Sequence, residues 1–314
     1  MNAFIVDTHC DSVKWLAQGV SLRNHPGHLD LTRLNSAVKL QFFAMFVESS
    51  YKPQRAMERT LELIDLSLQS MEQNKDVLTM VNTREDLQQL TTAKTCGALL
   101  AIEGGEAIID TYMVRHLFRL GVRSIGLTWN QRNRLADGVL GGSGGLTQLG
   151  KKVVKEMNAL GILVDAAHMS PKSFWDVLRT SSQPIIVSHA NCRALCDHVR
   201  NLTDLQIKTL AAQDGVFCLT FAPDFLKENG STIDDLLDHI AYAADLIGPE
   251  HIGIGSDFDG VDSLPEGLKG VEDYYKIYQG LEQRGFSESE CQAISGGNVR
   301  KLLMRILPKE VGKS

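Results

Sequence analysis

The chain has 314 residues, 43% of them hydrophobic and 22% charged, with a formal net charge of −6 and a sequence pI near 5.9. That composition suits a soluble globular protein, long enough for two ordinary domains or for one α/β barrel of about 250 residues. The acidic balance and the absence of a basic run argue against nucleic acid or an anionic membrane as partner.

The first apolar run starts within a few residues of Met1, which leaves no room for a signal peptide, and the polar Lys-Glu-Val-Gly-Lys-Ser end offers no lipid-anchor tail. No apolar stretch is long enough to span a bilayer. The cysteines at 10, 96, 192, 196, 218 and 291 are scattered. They read as reduced thiols of a cytoplasmic protein, and Cys192 and Cys196 lack the second pair that a zinc knuckle needs.

In chain order, short apolar runs predict strands over 4–8, 39–47, 97–103, 122–128, 161–167, 184–188, 215–221 and 251–256. Amphipathic patterns predict helices over 55–72, 146–160, 171–180, 203–212 and 233–247, with two more near 271–283 and 287–306. Eight strands alternating with helices favour a (β/α)8 TIM-like barrel with extra C-terminal helices over an open doubly wound sheet. No linker or low-complexity segment divides residues 1–314, so one domain is expected. Helix starts are legible at Ser170-Pro171, at Thr203 with Gln206 and at Ser287 with Glu290. The first of these fixes His168 at a strand end.

The strand ends carry the chemistry. The first run, Phe4-Ile5-Val6, leads into His9 and Asp11, which alternation directs to one face. The run 97–103 ends in Glu103-Gly104-Gly105, 161–167 in His168, 184–188 in His189, and 251–256 in Asp257-Phe258-Asp259. A barrel gathers such ends on its catalytic face. There, imidazoles and carboxylates suit a divalent metal such as zinc. Three histidines and at least two carboxylates exceed what one catalytic zinc uses, so a two-metal site with Glu103 as the bridging carboxylate fits better. Two metals can share a hydroxide nucleophile and polarise a carbonyl, which points to hydrolysis of an amide or related bond. Asp257 is then the expected proton shuttle, and Asp259 a structural neighbour.

These pieces together resemble the renal (membrane) dipeptidases and their bacterial relatives. The matching segments are Asp7-Thr8-His9-Cys10-Asp11, Ile102-Glu103-Gly104-Gly105, Asp165-Ala166-Ala167-His168, Ser188-His189, Gly255-Ser256-Asp257-Phe258-Asp259-Gly260 and Gly296-Gly297-Asn298. They run in family order over essentially the whole chain. The resemblance implies a binuclear zinc dipeptidase, with His9, Asp11 and Glu103 on one ion and Glu103, His168 and His189 on the other. It implies that Asp257 transfers the proton and that Arg200, in His198-Val199-Arg200-Asn201, grips the free carboxylate of a small dipeptide. It also implies tolerance of D-residues at the C-terminal position, and a homodimer. In one place the chain departs from the pattern. Mammalian members have a histidine after a Leu-Thr pair at the end of strand four, whereas here Leu127-Thr128 is followed by Trp129. An indole N–H donates but cannot replace an imidazole, so Trp129 is expected to contact substrate differently.

Gly141-Gly142-Ser143-Gly144-Gly145 matches a nucleophile-elbow pattern, but no convincing strand precedes it, and it reads as a mobile loop near the barrel mouth. His25, His28, His116, His239 and His251 lack strand-end positions and are left as surface or supporting residues. The rival readings are a metal-dependent amidohydrolase for an N-acyl amino acid or lactam, and a non-catalytic metal-binding barrel.

Overall fold

The structure, a computed structural model, describes residues 3–310. Its strands are β1 (Val6–Cys10), β2 (Leu40–Phe46), β3 (Leu78–Met80), β4 (Cys96–Glu103), β5 (Val122–Gly126), β6 (Leu163–Asp165), β7 (Ile186–Ala190), β8 (Val216–Leu219) and β9 (Ile252–Ile254). All of them pair in parallel, in the order β2-β1-β9-β8-β7-β6-β5-β4, and β2 pairs with β4 to close the ring. The result is the expected eight-stranded barrel ringed by helices. Strands covered on both faces lose the polar alternation of an open sheet. Accordingly all eight residues of β4 are buried.

The strand missed in the sequence is β3, whose Leu-Thr-Met exposes Thr79 and carries almost no pattern. It pairs with Cys96–Ala98, along the part of the β4 edge that β5, paired from Leu100 onward, leaves free. The run 161–167 shortens to β6 because Gly161 caps the preceding helix at φ 78° and His168 turns the chain at φ 64°. Helices at Leu31–Ala37, Arg84–Gln89 and Thr111–Arg119 also escaped the sequence reading. Each spans less than three turns, too short for a firm apolar period, although the caps Asp30, Thr83 and Asp110 are all present.

The helix expected over 287–306 is broken. It runs as Glu288–Gln292, a wide turn over Ala293–Gly297, and Asn298–Ile306. The break lies at Gly296, where a Cβ would collide with the Phe4 carbonyl oxygen and the Val6 amide. The bend lets Val299, Leu302, Leu303 and Ile306 join Val6, Leu40, Leu163, Ile186 and Val216 in one apolar cluster. Those are strand-start residues, so the last helix seals the end of the barrel opposite the strand ends.

Candidate active site

The C-terminal strand ends surround a cavity of about 810 Å³, lined by Asp11, Glu103, His168, His189, Arg200 and Asp257 and by Trp129. The end of β1 and the turn after β9 are joined directly. Asp11 N donates to the Phe258 carbonyl at 2.8 Å, and Asp257 N to the His9 carbonyl at 3.2 Å. Beneath them the buried Asp7 carboxylate accepts from Ser256 N and Ser256 Oγ, at 2.9 and 2.7 Å. Gly255 is required here, since a Cβ would strike the Ser188 carbonyl oxygen. His168, Asp257 and Asp259 take left-handed φ values of 64–65°. Such a conformation costs a side-chain-bearing residue roughly 1–2 kcal/mol. Its concentration at this rim marks a place where geometry outweighs local comfort.

His9 Nε2 lies 3.2 Å from Asp11 Oδ2, 3.7 Å from Glu103 Oε2 and 3.8 Å from Asp257 Oδ1. On the other side of Glu103, Oε1 is 2.8 Å from His168 Nε2 and 3.7 Å from His189 Nε2. All five expected ligands and Asp257 are therefore gathered around Glu103. The side chains most compactly arranged for a cation are His9, Glu103 and His189, and His9, Asp11 and Asp257. Asp257 thus sits among potential ligands as well as at the expected shuttle position. Asp259 points away, accepting from Ser12 Oγ and His28 N at 2.5 and 2.8 Å.

The imidazole tautomers provide a test of whether these residues fit a cation. Asn130 Oδ1 accepts from His168 Nδ1 at 2.8 Å. Ser188 Oγ gives its only proton to Asp165 Oδ2, at 2.5 Å, and so accepts from His189 Nδ1 at 2.8 Å. With Nδ1–H committed in this way and both rings neutral, each Nε2 carries a lone pair, and the two stand only 2.7 Å apart. Two lone pairs at that distance beside a carboxylate repel one another, and a shared positive charge resolves the conflict. The donor set fits a divalent metal of the kind that imidazole and carboxylate bind.

The chain's own charges carry the same signal. Burial, reinforced by Asp11, pushes the Glu103 carboxyl well above its usual range. Burial also raises Asp257 to about 6, opposed by His9 and assisted by Asp11. Burial pulls His9 down, but Glu103 and Asp11 outweigh it and lift the imidazole to about 10. Burial keeps His168 and His189 well below the ordinary imidazole value. Burial and mutual repulsion drive these carboxyls towards protonation, and an added cation would favour their ionised form.

Arg200 lies on the cavity wall, 5% exposed. It donates from Nη2 to the His189 carbonyl at 3.2 Å, and its guanidinium sits 5.5 Å from the Phe225 ring centre. Its Nε has no partner among the described residues. Trp129 stands edge-on to Phe46, 5.2 Å between ring centres, and 6.2 Å from His168.

Sequence reasoning overlooked the Asn130 contact and the Asp165–Ser188–His189 chain. The only local signal is a hydroxyl preceding His189. Asp165 reaches it through the β6–β7 register, which pairs Asp165 with Ile186. Four of the five histidines set aside have structural partners, His25 with Gly27 N and His251 with the Gly215 carbonyl among them. His239 is buried between Cys192 N and the Leu226 carbonyl, and His28 Nδ1 accepts from Asp259 N. Ser143 follows no strand, and its loop is tied down by Gly144 N donating to Asp137 Oδ2 at 2.6 Å. No helix among the described residues is long and apolar enough to cross a membrane.

Comparison with known proteins gives the chain's family. Residues 1–310 match the model of the membrane dipeptidase family, peptidase family M19. Dipeptidase tcpJ of Claviceps purpurea is 31% identical over 295 residues, covering 89% of this chain and 69% of the relative. Dipeptidase verJ of Clonostachys rogersoniana is 33% identical, covering 88% and 75%. Among solved structures, the M19 dipeptidase AC superimposes with a TM-score of 0.91 at 26% identity, covering 98% of this chain and 99% of that one. A metallopeptidase from Rhodobacter sphaeroides, liganded with a phosphinate mimic of L-Ala-D-Ala, gives 0.89 at 26% identity, covering 96% and 99%. The chain therefore belongs to the membrane dipeptidase family, peptidase family M19, and is a peptide-bond hydrolase.

Proposed function

We propose that the protein is a zinc-dependent dipeptidase that holds two ions, one by His9, Asp11 and Glu103 and the other by Glu103, His168 and His189. The observation that carries this reading is the pair of bare Nε2 atoms 2.7 Å apart against Glu103. When bound, such ions supply an activated water and polarise the scissile carbonyl.

The chain's own residues do the rest. Asp257, raised to about 6 by burial, is mostly ionised at neutral pH. It accepts the proton of the attacking water and delivers it to the leaving amine. Arg200, lowered to about 10 by burial, keeps its charge at neutral pH and lines the cavity, where its guanidinium binds the substrate's terminal carboxylate. Asn130 and Ser188 hold the two imidazoles in the tautomer with Nε2 free. The ligand of the Rhodobacter sphaeroides relative supports acceptance of a D-residue at the second position. Six free cysteines, five of them buried, support a cytoplasmic setting.

The test is a panel of unblocked dipeptides with L- or D-residues at the second position, beside N-acylated analogues, each with zinc-loaded and chelated protein. Chelator-sensitive cleavage of the unblocked dipeptides is expected. No cleavage by protein verified to hold two ions refutes the reading, and cleavage confined to the N-acylated compounds moves it to an amidohydrolase.

A further inference from the structure

The strand order shows which parts of the cavity wall lie opposite one another. Around the ring the strands run β1, β2, β4, β5, β6, β7, β8, β9. Phe46 ends β2 and is paired with Glu103 of β4, which is paired in turn with Gly126 of β5, just before Trp129. Arg200 follows β7 and Phe225 follows β8. In a ring of eight, β8 lies opposite β4. The aromatic pair Phe46–Trp129 and the guanidinium therefore face each other across the carboxylate–imidazole cluster.

Around Glu103 and Asn130, the β2–β4–β5 arc presents a group of apolar side chains. Ala44, Phe46, Leu63, Trp129, Val139 and Leu140 all line the cavity there. Leu140 remains 58% exposed although its amide is anchored to the Asn130 carbonyl at 2.7 Å, beside Trp129. An anchored backbone that holds a large aliphatic side chain in the mouth of a cavity leaves apolar surface for an occupant to cover. Arg59, at the rim of this arc, is engaged by Glu62 at 2.8 Å. A cavity of about 810 Å³ also has room for far more than two alanines.

Resting on the dipeptidase reading, we infer that the Phe46–Trp129–Leu140 arc is the side-chain pocket for the substrate's first residue, and that it selects large apolar, above all aromatic, side chains there. The direction follows from charge. The terminal carboxylate pairs with Arg200, the reacting carbonyl lies over the cluster around Glu103, and the first residue extends to the far wall. Rings meeting Trp129 and Phe46 gain edge-to-face contact in addition to burial.

The test measures kcat/KM for Xaa-Ala dipeptides with Gly, Ala, Leu, Phe, Lys or Glu first, using zinc-loaded enzyme. Phe-Ala should exceed Gly-Ala by about 10- to 100-fold, the scale of apolar-pocket discrimination. Lys-Ala and Glu-Ala should fall near or below Gly-Ala. In Leu140→Ala and in Phe46→Ala the Phe-Ala to Gly-Ala ratio should drop several-fold. The change in Leu140 is at an exposed side chain and leaves the barrel core untouched. Cleavage of the panel with a flat profile, or a ratio unchanged in both variants, overturns the pocket and leaves the dipeptidase reading standing. No cleavage of any member overturns the dipeptidase reading, and this inference with it.

Discussion

His9 faces Asp11, Glu103 and Asp257 within 3.8 Å. That crowding makes each carboxylate separately testable. Glu103 is the side chain shared by both halves of the site, with Oε2 towards His9 and Oε1 towards His168. Glu103→Gln keeps the shape and removes the charge, so the variant should lose bound metal on dialysis. Two ions retained per chain, by elemental analysis, would contradict the bridging role. Asp257→Asn should behave differently, retaining metal while turnover falls by about 10²–10⁴-fold, the range of a general acid–base group. Because Asp257 also groups with His9 and Asp11, loss of metal in this variant would make it a ligand instead of a shuttle.

At the scale of elements, the site depends on contacts between neighbouring strand ends. Ser188 on β7 joins Asp165 on β6 to His189, and so sets which nitrogen of that ring is free. Ser188→Ala removes the acceptor that holds His189 Nδ1–H without altering the barrel wall. Metal affinity should weaken by about 10–100-fold, as it does when the partner of a ligating imidazole is lost. Chelator competition measures this without recourse to activity. A mixed tautomer of the His189 ring, by nitrogen NMR, is the accompanying signature. Unaltered affinity would make the Asp165–Ser188 chain a packing feature only. The same strand ends were the most readable part of the sequence, because His9, Glu103, His168 and His189 each end an apolar run. Their partners were not readable, since Asn130 is 38 residues from His168, and Asp165 is 23 from Ser188.

For the molecule as a whole, the buried charges couple stability to pH. His9, raised to about 10 from an ordinary 6.5, stabilises the fold while protonated, and this contribution fades as pH climbs from 6.5 through 10. Glu103, raised well above 4.5, acts in the same direction, because ionising it inside the fold is costly. Asp257 completes its change near pH 6, and there His168 and His189, held neutral by burial, oppose it. Between roughly pH 7 and 9 the first two groups dominate. The Tm of chelated protein should therefore fall across that window, and the gap to zinc-saturated protein should widen. A chelated protein whose Tm stays level from pH 7 to 9 would show that these charges are not coupled to folding.

The sequence by itself determined the barrel and the chain order of its chemical groups. Both are written in local pattern, as apolar runs of strand length, amphipathic stretches between them and a ligand-type residue at a run's end. The C-terminal helices were legible for the same reason, whereas their break at Gly296 was not, because it arises from contact with Phe4 and Val6 at the other end of the chain. Likewise β3 is a strand only because β4 offers it a free edge. Tertiary structure alone decided which groups the imidazole nitrogens meet, how closely they approach Glu103, and that Arg200, Phe46 and Trp129 line one cavity. These are relations between residues tens to hundreds of positions apart, and they come into being only when the ring of strands closes.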